Sequence, residues 1–402
     1  MILGALDTKG REIRYLRERI SKSGLQTIVL DNGILGEPRA IVPDISAREV
    51  ALAAGTTLKI IRRAPTRRAA IAEMTEGCKV IVRSLYDDER IHGAVSFGGA
   101  QGSIMAAAAM QVLPPGFPKI VISPLASGAR PFGALVGIRD LIVMHSLVDP
   151  IGLNDLSRAV FDNAGAAIAA MAESYRPLEI RGAKNVALSA LGTVQKAVNF
   201  ICPPLIAAGF QPILFHGSGV GGRIMEDFIE RKTFCGVIDL SLSELTDHLV
   251  GGFHDAGPDR LEAAGRMAIP QIIIPGCVDF FGWGPMETIP EKWRSRKKYY
   301  HNPIYTLIRP SHEEMRQVAD TMARKLNAAK GPVRVILPLR GMSIGGLKGQ
   351  SSYDPEGDQI FFTALKAGLA PGIPVYEIDG HVNEEPVAKK VVEEFFELVG
   401  WD

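Results

Sequence analysis

The sequence predicts an α/β fold made of two Rossmann-like, doubly wound parallel-sheet domains. Three observations predict it. Short apolar runs with strand character alternate with stretches of helical periodicity, the rhythm of a parallel sheet. The rhythm restarts after a charged stretch, Glu179 to Lys184. The two halves also match at one offset of 185 positions, with Ala5-Leu6-Asp7-Thr8 falling on Ala190-Leu191-Gly192-Thr193 and Gly24 on Gly209. Identities at a single offset point to a possible duplication. The expected domains are residues 1–178 and 185–402.

In the first half, Ile2 to Leu6 reads as a buried strand, and Ile13, Leu16 and Ile20 give a helix over Glu12 to Ser21. Thr27 to Leu30 is the second strand. Gly36 to Ala64 is irregular, with Pro38 and Pro43, and Arg67 to Asp88 reads as a long helix with a break near Gly77. The strand Ala94 to Phe97 follows, then the turn Gly98-Gly99-Ala100-Gln101-Gly102-Ser103 and a helix of small residues. Lys119 to Ser123 is a further strand, Asp140 to Pro150 holds one more, and Asn154 to Ser174 is a helix ended by Arg176-Pro177. The second half repeats the pattern, with Gly98-Gly99 matched to Gly251-Gly252 and the Pro118 to Ile122 strand to Pro270 to Ile274.

Composition narrows the function. The 402 residues are 47% hydrophobic and 22% charged with a formal charge of +1, the profile of a soluble globular protein. Near-neutrality gives no support for a nucleic-acid or membrane-surface partner. The apolar region Ile120 to Met144 is interrupted by Arg130, Pro131, Arg139 and Asp140, so no membrane span is expected. Cys78, Cys202, Cys235 and Cys277 form no CxxC pattern, which fits a reducing cytoplasm.

Ligands of doubly wound sheets bind at the carboxyl ends of the strands. In the first domain those ends carry Asp7-Thr8-Lys9, Asp31-Asn32-Gly33, the Gly98 to Ser103 turn and Ser127-Gly128. A glycine turn opening a helix suits phosphate, because it brings backbone amides and the helix dipole to one place. The same turn also serves as a plain strand-to-helix junction. Thr8, Ser103 and Ser127 can donate to phosphate oxygens, Lys9 can neutralise one, and Asp7 can hold a magnesium ion. Asp7 and Ser103 could equally be helix caps.

In the second domain Gly217, Gly219 and Gly222 spell G-x-G-x-x-G, and Asp239 lies seventeen positions further on, as a ribose-binding acid would. This leaves an NAD-dependent oxidoreductase open. Titratable groups near strand ends include His216, Asp239, Glu244, His254, Asp279, His301 and His381, of which His216, Asp239, Glu244 and Asp279 are the catalytic candidates. No HxH or HExxH pattern marks a metal site. The Lys292 to Tyr300 run reads as a solvated loop or a lid over an anionic substrate.

Along nearly its whole length the chain resembles the ATP-binding family of the tomato tobamovirus-resistance protein. The resemblance is carried by Leu6-Asp7-Thr8-Lys9-Gly10, the Gly98 to Ser103 loop, Leu125-Ala126-Ser127-Gly128 and His145-Ser146-Leu147-Val148-Asp149 with Gly152-Leu153-Asn154. Phe215-His216 with Gly219 to Gly222, Gly251-Gly252 with Ala256 to Ala264, Pro275-Gly276 with Asp279, and Asp379 to Asn383 complete it. It implies two Rossmann-like domains, ATP or another nucleotide bound by the N-terminal one, and a homodimer. Where the family loop commonly reads Gly-Gly-Ser-Gly-Gly-Thr, this chain has Ala100, Gln101 and Ser103. The expectation is an enzyme acting on a small anionic metabolite in the interdomain cleft, the alternative a nucleotide sensor without chemistry.

Overall fold

The computed structural model describes residues 1–126, 133–149, 151–179 and 184–401. The chain divides into two compact units, Met1–Glu179 and Ile180–Asp402. Both are α/β with a parallel main sheet.

The first unit runs β1 (Ile2–Gly4), α1 (Leu6–Ser21), β2 (Val29–Asp31), α2 (Ala47–Ala53), α3 (Leu58–Ile61), α4 (Arg67–Asp87), β3 (Ala94–Phe97), α5 (Ala100–Met110), β4 (Lys119–Ser123), α6 (Gly133–Val136), β5 (Ile142–His145) and α7 (Asp155–Ser174). Its five strands lie in the order β2-β1-β3-β4-β5, all parallel. Strand residues alternate between faces. Leu3, Leu30 and Val121 pack with α2 to α5, whereas Ile2, Val29, Val95, Ile120 and Ile122 pack with α1 and α7. The sheet is therefore doubly wound.

Three expectations change. α1 starts at Leu6 rather than Glu12, because Asp7-Thr8 form a first turn that Lys9 sets off from the main helix (φ −123°, ψ 16°). α4 runs unbroken through Gly77, which is there for clearance: a Cβ at that position would stand 2.0 Å from the Val50 carbonyl oxygen of α2. The irregular stretch holds two short helices, each begun by a hydroxyl cap, Ser46 on α2 and Thr57 on α3.

The second unit runs β6 (Asn185–Ala190), α8 (Gln195–Ala207), β7 (Gln211–His216), α9 (Val220–Glu230), β8 (Gly236–Asp239), α10 (Ser243–Val250), α11 (Ala263–Arg266), β9 (Gln271–Ile273), β10 (Phe281–Trp283), β11 (Lys298–Asn302), β12 (Tyr305–Ile308), α12 (His312–Asn327), β13 (Val333–Pro338), α13 (Pro355–Gly368), β14 (Val375–Ile378) and α14 (Glu385–Leu398). Its main sheet is β7-β6-β8-β9-β13-β14, which repeats the order of the first sheet and adds one strand. Positions offset by 185 thus fall on equivalent strands, β1 with β6 and β2 with β7.

The match of Gly98-Gly99 to Gly251-Gly252 is corrected. Gly98 and Gly99 follow β3, but Gly251 ends α10 in the left-handed conformation (φ +82°), a helix stop and not a strand exit. The basic aromatic run is corrected too. Its end forms β11 of a separate antiparallel sheet, β10-β12-β11, and Trp293 is buried against Phe281 and Trp283. Among the described residues no helix is long and apolar enough to cross a membrane.

Candidate functional site

The order β2-β1-β3 sends the chain from β1 to opposite sides, so the carboxyl ends of β1 and β3 form a topological switch point, where open α/β sheets take their ligands. A cavity of about 830 Å³ lies there, inside the first unit. Ala5, Thr66 and Gly99, the N-cap residues of α1, α4 and α5, all line it. Two of these helix ends are satisfied internally. Leu6 N donates to Asp31 Oδ1 at 3.0 Å, and Ala69 N to Thr66 Oγ1 at 3.1 Å. α5 has no side-chain cap, and the amides of Ala100, Gln101 and Gly102 are those that helix geometry leaves unpaired. The positive end of an eleven-residue helix is thus open to the cavity.

The cations agree with that end. Lys9 and Arg67 line the cavity and have no carboxylate partner among the described residues. Arg62 also lines it but is committed, donating to Ile34 O at 2.7 Å and Gly36 O at 2.8 Å beside Glu37. The loop it braces is the one that Asp7 holds, for Asp7 Oδ2 accepts from the amides of Leu35 and Gly36, both at 2.9 Å. Asp7 Oδ1 is buried with no partner among the described residues. Asp31 accepts from Leu6 and Gly33, and burial still pushes its carboxyl upward. Ile34, Leu35, Ile61, Ala64, Ile71 and Met105 give the cavity an apolar wall.

Of the residues expected to hold a cofactor, Asp7, Thr8, Lys9, Gly98, Gly99 and Gly102 line this one cavity. Ser103 does not: it is fully buried and its Oγ donates to Gly98 O at 2.9 Å, so its hydroxyl secures the turn. Neither Asp7 nor Ser103 is a helix cap, those places being held by Ala5 and Gly99. Ser127 and Gly128 lie outside the described residues. Sequence reasoning missed Arg62 and Arg67 as lining residues, and named Asn32 only as part of a strand-end turn. Arg67 was within reach, since Thr66 followed by a helical period marks an N-terminus and the next side chain stands beside it.

The second unit places its candidates differently. Asp239 is 1% exposed and bonds Arg260 through both oxygens, at 2.6 and 2.7 Å, while accepting Ser189 Oγ at 2.5 Å. Glu244 Oε2 accepts Arg260 Nε at 2.6 Å, and Glu226 completes the set at 3.2 Å. Burial drives the carboxyls of Glu226 and Glu244 upward, against the pull of Arg260. Asp279 Oδ2 accepts Ser343 Oγ at 2.7 Å and pairs with Arg309. Three of the four catalytic candidates, Asp239, Glu244 and Asp279, are thus buried and paired with an arginine. His216, at the end of β7, is exposed and separate from these pairs. His254 lies within electrostatic reach of His216 and His301, and burial lowers it to about 4. No group of three or more His, Cys, Asp or Glu side chains among the described residues is arranged to hold a metal ion.

Comparison with known proteins adds the family. Residues 1–177 match the model described as the uncharacterised protein family (UPF0261) N-terminal domain, and residues 183–399 match its C-terminal domain. A UPF0261 protein of Clostridium tetani is 37% identical over 399 residues, covering 98% of both chains. One from Brucella suis is 32% identical over 403 residues, covering 98% of this chain and 94% of that one. The tomato ToMV resistance protein Tm-1(GCR237) is 32% identical over 342 residues, 83% of this chain and 45% of the tomato protein. Among solved structures, a UDP-N-acetylglucosamine 2-epimerase from Rickettsia bellii aligns with 99% of this chain and 96% of its own, at 11% identity and a TM-score of 0.23, too slight a likeness to bear on function. With both domain models in order and a 37% identical relative matched end to end, the chain belongs to the UPF0261 family.

Proposed function

We propose that the N-terminal unit binds a nucleotide, ATP or a close relative, with its phosphates on the N-terminus of α5. One observation carries this reading: the uncapped helix end meets Lys9 and Arg67, which have no carboxylate partner among the described residues, in a single cavity of about 830 Å³. The volume falls in the range of small-molecule and cofactor sites, roughly 300–1,000 Å³. An anion there gains the helix dipole, three free amides and two counter-charges. The apolar wall suits a base or sugar face. Asp7 Oδ1, buried and unpaired, fits one carboxylate ligand of a magnesium ion whose remaining ligands come from phosphate and water. The sequence resemblance points to the same ligand.

A thermal-shift series with ATP, ADP, NAD and inorganic tripolyphosphate, each with and without magnesium, tests the reading. A ligand at 100 times its Kd should add about 2.7 kcal/mol to the stability of the unit that binds it. Failure of every phosphate compound to shift the transition would overturn it. The wider role we propose is an enzyme that uses the nucleotide on a small anionic metabolite. Consumption of ATP in the presence of such acids separates that role from a nucleotide sensor, which binds without turnover.

A further inference from the structure

We infer that Asn32 recognises the part of the ligand beyond its phosphates, by pairing with an edge that offers a hydrogen-bond donor and acceptor side by side. This rests on the nucleotide reading above. Asn32 lines the cavity, is 1% exposed, and has no partner at Oδ1 or at Nδ2 among the described residues. Since both atoms are open, the conclusion is the same whichever way the amide is turned. A buried amide with no partner is unfavourable, and such groups in folded proteins normally find one. The neighbours do not supply it. Asp31 is engaged by the amides of Leu6 and Gly33, and Asp7 Oδ2 by those of Leu35 and Gly36. The Asn32 backbone is itself pinned, its amide donating to Gly4 O at 3.1 Å at the end of β1.

Position suggests what Asn32 meets. It follows β2, while the phosphate-facing turn follows β3, with β1 between them. Neighbouring strands lie about 4.8 Å apart, so roughly 10 Å separates the two positions. That is the reach from a bound phosphate to the sugar or base of the same nucleotide. An asparagine amide complements adenine, whose edge sets an amino donor beside a ring acceptor, and mismatches guanine, whose corresponding edge offers two acceptors. A ribose cis-diol offers the same donor and acceptor pair. The shared chemistry is the paired edge.

The test is titration calorimetry of the full chain with ATP, GTP, 2′-deoxy-ATP and inorganic tripolyphosphate, on the native protein and on Asn32→Leu and Asn32→Asp. Native protein should bind ATP at least tenfold tighter than tripolyphosphate. Asn32→Leu should lose tenfold or more for ATP while tripolyphosphate affinity changes less than twofold, and Asn32→Asp, which adds a charge, should lose at least tenfold more for ATP than for tripolyphosphate. Weak GTP binding by the native protein assigns the base edge, and weak 2′-deoxy-ATP binding assigns the diol. If folded Asn32→Leu binds ATP as the native chain does, the assignment of Asn32 fails and the phosphate site stands. Equal losses of ATP and tripolyphosphate in both variants would make Asn32 a structural residue and overturn the inference. Should Asn32→Leu not fold, the near-isosteric Asn32→Asp decides alone. If native protein binds neither ATP nor tripolyphosphate, the nucleotide reading fails, and the role of Asn32 with it.

Discussion

Glu244 fills the N-terminus of α9 through Gly222: its Oε1 accepts the Gly222 amide at 3.0 Å, and the same oxygen takes the Gly219 amide at 2.7 Å. A Cβ on Gly222 would lie 2.1 Å from Glu244 Oε2. Gly217 is confined by Ser241 Oγ, 2.9 Å from where its Cβ would be, and Gly219 holds φ +88° against the Asp255 carbonyl. All three glycines of the G-x-G-x-x-G pattern therefore answer to the chain's own packing. The place where a dinucleotide pyrophosphate would rest is occupied by a carboxylate of the protein.

Asp239→Asn tests the internal role of this cluster. Arg260 is buried and takes both oxygens of Asp239, so neutralising that carboxylate leaves a buried guanidinium with an amide donor pressed against it. Breaking a buried pair from one side costs about 3 kcal/mol or more. The C-terminal unit should lose roughly 10 °C in Tm by calorimetry. His216→Ala, at an exposed strand end, should leave Tm within a degree or so. An unchanged melting temperature for Asp239→Asn would rule out this internal role.

Gly102→Val probes the opposite site. Nothing lies within 4 Å of a Cβ built at Gly102, and the residue lines the cavity in the first turn of α5. The folded chain has room for the new side chain, and exchanging glycine for valine gains the helix about 0.4 kcal/mol. The branched methyls would stand over the free amides. Tm should hold or rise slightly while ATP affinity falls tenfold or more by calorimetry. Equal affinity would move the phosphate site away from α5.

The difference between these two sites marks how far the sequence could be read. The parallel α/β class, the double winding and the cavity residues Asp7, Lys9 and Gly98 to Gly102 follow from local patterns, because strand exits and helix starts are encoded within a few residues. The arginine partners of Asp239 and Asp279 were not legible, because a carboxylate at a strand end looks the same whether it faces a ligand or an arginine, and Arg260 and Arg309 lie 21 and 30 positions away. The antiparallel sheet β10-β12-β11 was hidden for the same reason. Its first strand is three residues long and pairs across a gap of more than twenty. Asn32 was visible as a turn residue, but only the tertiary structure shows that its amide is buried and unmatched.

His254 makes stability depend on pH. Burial first, then the charges of His216 and His301, lower its pKa to about 4 from an ordinary 6.5. The fold thus favours the neutral ring. As pH falls from 6.5 towards 4, the unfolded chain takes up a proton that the folded chain refuses, and stability drops by up to about 3 kcal/mol. Above 6.5 the contribution is complete. Asp247, whose amide-bound carboxyl burial holds high, adds a slope of the opposite sign that both proteins share in the comparison. Urea unfolding of native protein and His254→Phe at pH 4.5 and 7 should show the native chain losing more on acidification. Identical losses would place His254 outside this linkage.

Lys9 and Arg62 both carry positive charge at the cavity, and they should respond oppositely to removal. Lys9 sits where α1 leaves helical geometry, and no ion pair among the described residues depends on its ammonium group. Lys9→Met keeps the stem and removes the charge. It should leave Tm unchanged, weaken ATP and tripolyphosphate alike by about tenfold, and flatten the dependence of binding on salt. Arg62 already donates to Ile34 O and Gly36 O, which fix the loop whose amides hold Asp7. Arg62→Met should lower stability by about 1 kcal/mol, since two carbonyl acceptors lose a charged donor at a partly solvated site. Its effect on ligand affinity should come through Asp7, and so be larger with magnesium than without. Calorimetry with tripolyphosphate in both conditions separates the two. If Lys9→Met binds phosphate as tightly as the native chain while Arg62→Met does not, Arg62 and not Lys9 is the cation that faces the ligand.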